Sequence, residues 1–340
     1  MSITQSPKTE QSEPWQQALK NLIRCPKQLL QHLDLSLKDI PWQIDPQFPL
    51  RVSLSFANKI QKSAPYDPLL RQVLSTKSES LFSDKFVTDP LQEATKNPIP
   101  GLLHKFSNRV LLTVTQACPV HCRYCFRRHF PYSENKLNKA HWPQIKRYLQ
   151  EHKNIHEVVL SGGDPLMLTD AHLANLMGLL EEIPHIQIIR FHTRMPVMIP
   201  ERISPNLIKI LQQSTKKIVL VYHINHANEL CEDIKAGVAK LKNIGCTVLN
   251  QNVLLKGVND NITDLTKLCW SLFQADILPY YIHLLDSVAG AQHFDVPLEQ
   301  ALKLEQALMA ELPGYCVPKF VKEIPGKPSK ILIKQLARKN

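Results

Sequence analysis

Cys118, Cys122 and Cys125 stand in the run Cys118-Pro-Val-His-Cys122-Arg-Tyr-Cys125, a ligand loop only eight residues long. Three thiolates with no fourth at matching spacing can hold three irons of a cubic [4Fe–4S] cluster and leave its fourth iron open. An open iron can ligate a substrate, so the spacing points to chemistry and away from simple electron storage. The alternative is a zinc knuckle. Structural zinc wants four ligands in a tetrahedron. His121 and His129 could complete such a set, yet both adjoin the cysteines too tightly for the usual paired-ligand geometry. The spacing favours the cluster.

A loop of this kind needs a rigid frame, and from Arg109 onward one is legible. Apolar, β-branched runs alternate with segments of helical period. Arg109–Thr115 leads to a helix over 141–152, 157–160 to 169–182, and 186–192 to 205–213. The strand at 217–224 leads to a helix over 227–243, 247–255 to 262–274, and 279–285 to 297–311. Thr169 or Asp170 suits a helix N-cap, Ser204-Pro205 gives a cap followed by proline at the first helical position, and Gly245 is a C-terminal stop. Such alternation predicts a parallel sheet with helical crossovers.

The unusual residues all fall at the carboxyl ends of these strands, where barrel active sites are built. The cysteine run follows the first strand, Ser161-Gly162-Gly163-Asp164 the second, and His192-Thr193-Arg194 the third. His223–His226, Lys256–Asp260 and Asp286–Gly290 end the remaining three. Six units predict an α/β fold, an open partial (β/α)6 barrel over 105–326. Residues 1–104, with amphipathic patches at Trp15–Leu30 and Tyr66–Leu74, predict a helical N-terminal region with a frayed start. A short segment, 327–340, completes the chain.

With 340 residues, 44% of them hydrophobic, the chain can build one large domain and an accessory region. No signal-peptide pattern opens it, and no apolar run reaches the ~18 residues that span a bilayer. Of the eight cysteines, five are scattered singly, as in a reducing cytoplasm and not a disulfide framework. The net charge of +11 is not gathered into one run. Its densest sets are Arg123, Arg127 and Arg128, and the tail from Lys327 through Lys339. The four tryptophans form no stacking array, so nucleic acid is a minority reading. His223, His226, His283 and His293 are scattered over several segments and read as pocket walls, not as a metal site.

The Cys-x3-Cys-x2-Cys run, with Tyr124 before the last cysteine, resembles the signature of the radical SAM superfamily. Three further stretches narrow this: Ser161-Gly-Gly-Asp-Pro-Leu166, Asn250-Gln251-x-Val-Leu-Leu255-x-Gly257-Val-Asn259-Asp260, and Asp286-x-Val-x-Gly290-x-x-His293-Phe294. From about Lys105 to Lys330 the chain resembles the lysine 2,3-aminomutase family. That resemblance implies a partial radical SAM barrel and three cofactors: a [4Fe–4S] cluster on Cys118, Cys122 and Cys125, S-adenosyl-L-methionine (SAM), and pyridoxal 5′-phosphate (PLP).

The same resemblance implies a role for each matching residue. Ser161, Gly162, Gly163 and Asp164 meet SAM. Lys330, five residues after Pro325, holds PLP as a Schiff base. Lys105, Arg109 and Gln251 contact the cofactor phosphate, Arg127 grips the substrate carboxylate, and Asp286 with Glu323 binds the ammonium of a lysine side chain. The implied reaction is isomerisation of L-α-lysine to (R)-β-lysine. The Pro-Ser-Lys sequence before and at Lys330, with no cysteine-bearing tail after it, resembles the branch that supplies β-lysine for modification of elongation factor P. Implied partners are a flavodoxin or ferredoxin as electron donor and, functionally, elongation factor P and its lysyl-ligating enzyme; a homo-oligomer is compatible with this. Two other readings compete: a radical SAM RNA-modifying enzyme, and a non-enzymatic iron–sulfur or zinc module.

Overall fold

A computed structural model describes residues 12–132, 135 and 137–337. The frayed start expected over the first residues, and the end of the tail with Lys339, lie outside them. One sheet of nine strands organises the chain, and its strands follow sequence order. They are β1 (Leu102–Phe106), β2 (Arg109–Thr115), β3 (Glu157–Gly162), β4 (Ile188–Thr193), β5 (Lys217–Tyr222), β6 (Thr247–Leu254), β7 (Leu278–Leu284), β8 (Lys319–Lys322) and β9 (Ile331–Leu332). From β2 to β8 every neighbouring pair is parallel. The edges β1 and β9 are antiparallel.

Parallel strands covered on both faces read as continuous apolar runs, and β3 buries Val158, Val159 and Leu160 in succession. Helices Trp142–Glu151, Asp170–Glu181, Pro205–Gln212, Glu232–Asn243, Ile262–Gln274 and Leu298–Glu311 return the chain after β2 to β7. These are the six expected units. The caps act as anticipated: the Thr169 hydroxyl accepts from His172 N–H, and that of Ser204 from Leu207 N–H. The fourth helix starts later than expected. Residues Ala227–Glu229 form a separate 3-10 turn, because the Glu229 carboxylate turns inward to accept from Asn225 and His226 N–H.

Three strands were not expected. β8 and β9 have four and two residues, too few to show a period. β1 buries only Leu102 and Leu103. The boundary expected between 104 and 105 falls inside β1, and the one after 326 falls in the turn joining β8 to β9. The helix expected over Trp15–Leu30 is two, Pro14–Lys20 and Pro26–His32. Pro26 cannot continue a helix from the preceding residues, and Ile23 pairs instead with Val52. Of the Tyr66–Leu74 patch only Pro68–Arg71 is α-helical.

The N-terminal region shares its hydrophobic core with the barrel: Leu29, Phe56 and Leu69 belong to the same buried cluster as Val110, Leu160 and Leu220. It also grips the cysteine loop. Arg51 Nη1 donates to the Cys118 carbonyl at 3.0 Å, and Arg123 N–H donates to the Gln72 carbonyl at 2.9 Å. Arg123 and Arg128, part of the densest basic set in the sequence, pair with Asp45 and Glu79 in a buried cluster. They fasten the loop to the N-terminal region and are not available to ligands. Among the described residues no helix is long and apolar enough to cross a membrane.

Candidate active site

The carboxyl ends of the parallel strands enclose a cavity of about 420 Å³. Its wall contains Cys118, Cys122 and Cys125, the segment Ser161 to Asp164, Lys105, Arg109, Arg127, Gln251, Asp286, Glu323 and Lys330. The structure thus gathers into one space every candidate drawn from the sequence, although they are spread over 226 positions from Lys105 to Lys330.

On one side lies the cysteine loop. Arg194, at the end of β4, donates through Nη1 to Cys122 Sγ at 2.8 Å and to the Tyr124 hydroxyl at 2.7 Å. Its Nη2 donates to Gln72 and Glu229 at 2.6 and 2.9 Å. A fixed buried cation against a thiol suits a site that holds negative sulfur. Among the described residues no group of three or more His, Cys, Asp and Glu side chains is arranged to hold a metal ion. A cubic cluster spreads its cysteine ligands over separate irons, and three cysteines on one cavity wall fit it.

The glycine pair has a packing reason as well as the one inferred. A Cβ on Gly162 would lie 2.3 Å from the Thr115 carbonyl oxygen, and one on Gly163 would lie 2.2 Å from that of Ala117. Only glycine lets the end of β3 press against the chain leading into the cysteine loop. Asp164, also in the cavity wall, is tied to the fold by its carboxylate. Its Oδ1 accepts from Leu166 N–H and the Thr193 hydroxyl, and its Oδ2 from the N–H groups of Arg194 and Met195. With both oxygens taken, this carboxylate clips the ends of β3 and β4 together.

On the other side a chain of alternating charges crosses the cavity wall. Arg127 donates through Nε and Nη2 to Glu93 at 2.7 and 3.0 Å and through Nη1 to the Ser161 hydroxyl at 3.0 Å. Glu93 also accepts from Lys105 at 3.0 Å. Lys105 reaches Glu323 at 2.5 Å, and Glu323 reaches Lys330 at 2.5 Å. Against the effect of burial, Lys330 and Lys105 hold Glu323 down to about 2. Glu93 is likewise held at about 2, by Arg127 and Lys105. Asp286 stands apart. Burial, then repulsion from Glu323, pushes its carboxyl up to about 7.

The remaining groups suit polar ligands. Arg109 lies over the Phe106 ring, 4.1 Å from its centre. Gln251 Nε2 lies 3.0 Å from His223 Nε2. Burial keeps His192, His223 and His283 neutral, and His223 falls to about 3. His192 Nε2 and His283 Nε2 are buried without a protein partner, as expected of groups awaiting a bound molecule. A reactive amine, three further cationic or amide donors and two orphaned imidazole nitrogens fit a phosphorylated aldehyde such as PLP. Glu93 was not singled out from sequence, whereas Arg194 and His192 were noted only by their place at a strand end and His283 only as a pocket wall.

Fold and cavity define a radical SAM enzyme, and residues 112–269 match the model of the radical SAM superfamily. The chain is 45% identical over 325 residues to L-lysine 2,3-aminomutase of Escherichia coli (strain K12), covering 95% of each. It is 45% identical over 332 residues to L-lysine 2,3-aminomutase of Haemophilus influenzae, covering 97% of this chain and 98% of that one. Against L-lysine 2,3-aminomutase of Clostridium subterminale it is 32% identical over 315 residues, covering 92% of this chain and 76% of that one. The chain belongs to the lysine 2,3-aminomutase family. It is an isomerase that uses a [4Fe–4S] cluster, SAM and PLP.

Proposed function

We propose that this enzyme converts L-α-lysine to (R)-β-lysine, with Arg127 receiving the substrate carboxylate and Asp286, with Glu323, receiving the side-chain ammonium. The observation that carries this reading is one cavity with a fixed guanidinium in its wall and two carboxylates elsewhere on it, beside a cysteine loop and a lysine amine. When bound, the cluster and SAM supply a carbon radical that takes a hydrogen atom, and PLP supplies a conjugated system through which an amino nitrogen can migrate. Cys118, Cys122 and Cys125 would hold the cluster, and the turn Ser161–Gly163 the SAM side of the cavity. Lys330 would anchor the PLP aldehyde, and Lys105, Arg109 and Gln251 its phosphate.

The residues themselves do the positioning. Arg127 offers a planar fork suited to a carboxylate, and Glu93 and Ser161 fix its plane. Clamping lysine at both ends holds a chosen hydrogen toward the radical source. Lys330 cannot hold an aldehyde and serve Glu323 as a free ammonium at once, so with Lys330 engaged one Glu323 oxygen could turn to a substrate ammonium while the other keeps Lys105. The neutral imidazoles of His192 and His283 can each share a hydrogen bond with bound molecules and add no charge.

Mass spectrometry of products from lysine, SAM, PLP and dithionite tests the whole reading. The expected product has the mass of lysine and the fragmentation of β-lysine; a cluster-loaded enzyme that cleaves SAM yet leaves lysine unchanged would sink it. A second test uses pH. An acid raised to about 7 is neutral below that value and anionic above it. Lysine KM should therefore fall as pH rises from about 6 to about 8, by up to roughly tenfold per unit below the midpoint. Asp286→Asn should flatten that profile and raise KM by tens-fold or more, because an ammonium loses its buried charged partner.

The product serves, in our reading, the modification of elongation factor P. Support comes from the Pro328-Ser329-Lys330 sequence at the cofactor lysine, which resembles that branch. A cytoplasmic setting, with flavodoxin or ferredoxin as electron donor, accords with the unpaired cysteines.

A further inference from the structure

Glu93 sits in a short 3-10 turn, Glu93–Lys96, immediately after Gln92, which adopts a left-handed conformation at φ 51°. A side chain other than glycine seldom accepts that geometry. Asp89 holds the turn by accepting from Glu93 N–H at 3.1 Å. The outcome is a carboxylate only 2% exposed, aimed into the cavity wall. Its Oε2 takes Arg127 Nε, and its Oε1 takes both Arg127 Nη2 and Lys105 Nζ. No other carboxylate among the described residues touches both cations.

We infer that Glu93 is a positioning residue that sets two anion sites at once: through Arg127 the site for the substrate carboxylate, and through Lys105 the site for the cofactor phosphate. The inference rests on the aminomutase reading of the cavity. Without Glu93 the two cations would repel each other, and Lys105 would be held by Glu323 alone while Arg127 kept only Ser161. With Glu93 between them, Arg127 spends Nε and one hydrogen of Nη2 on a rigid two-point contact, and its outer edge keeps a fixed direction. The same oxygen that meets Nη2 holds the Lys105 ammonium, so the two sites share one anchor.

The test pairs each ligand with a version lacking its anionic end. PLP is compared with pyridoxal, and lysine with 1,5-diaminopentane, which is lysine without its carboxylate. Binding is read from the absorption of the PLP-loaded enzyme, without turnover, in the wild type, Glu93→Gln and Glu93→Ala. Glu93→Ala should weaken lysine by about tenfold or more while 1,5-diaminopentane stays within about twofold, and should weaken PLP more than pyridoxal. Glu93→Gln, which keeps the shape and one acceptor, should fall between. Equal weakening of ligands with and without the anionic end would show mere loss of packing. Tighter lysine binding by Glu93→Gln would show that Glu93 competes for Arg127 and does not position it. Either result overturns the inference. A wild-type enzyme that takes up neither PLP nor lysine would instead remove the functional reading beneath it.

Discussion

Replacing Cys118, Cys122 or Cys125 by Ala is expected to abolish both the iron–sulfur absorption and the release of 5′-deoxyadenosine from SAM. β-Lysine formation should drop at least about 10⁴-fold, since the residual protein keeps binding groups but has no way to start the reaction. Folding should survive. The loop is fastened by Arg51, Arg123 and Arg128 through contacts that involve no thiol. Cys25→Ala, remote from the cavity wall, is the control and should load iron normally. Wild-type iron content in any of the three loop variants would show that the ligands lie elsewhere.

Lys330→Ala carries the second largest effect. Borohydride reduction of the PLP-loaded enzyme followed by peptide mapping should find the pyridoxyl group on Lys330, and the alanine variant should lose it while keeping its cluster. Loss of the nucleophilic amine typically removes several orders of magnitude, and a fall of about 10³-fold or more in turnover is expected. Lys327 is the rival anchor. It is exposed, in the turn after Gly326, and outside the cavity wall, whereas Lys330 is largely covered and holds Glu323 at 2.5 Å. Lys105 stays beside Glu323 in the variant, so no bare carboxylate is left buried and the cost in stability should be small. A label on Lys327 would overturn the assignment.

The barrel was readable because its signals are local. Thr169 and Ser204 announce helix starts, and runs such as Val158–Leu160 announce covered strands. β8 and β9 gave no such sign, since two to four residues carry no period, and what makes them strands is the edge of a sheet already formed. The same divide runs through the site. The cysteine loop is written in consecutive residues. Glu93 is one carboxylate in an irregular stretch, and it matters only because folding brings Arg127 and Lys105 to it. Asp164 shows the opposite case: its neighbours in sequence suggested a ligand contact, and its neighbours in space are all backbone and hydroxyl donors of the fold. Sequence spacing reports what a loop can hold; it does not report which polar group the fold has already used.

The ion pair between Lys105 and Glu323 joins the first strand of the sheet to the residue just past its eighth, across a separation of 218 positions. Backbone hydrogen bonds do not close this sheet into a ring; two side chains do. A chain still emerging from the ribosome can pair β1 through β7 in order and fold its cysteine loop against the N-terminal region. It cannot complete the wall that carries Lys330 until that last hairpin is free. Closing contacts this distant in sequence costs the most chain entropy, so the wall that carries Lys330 is the last part of the cavity that synthesis can complete.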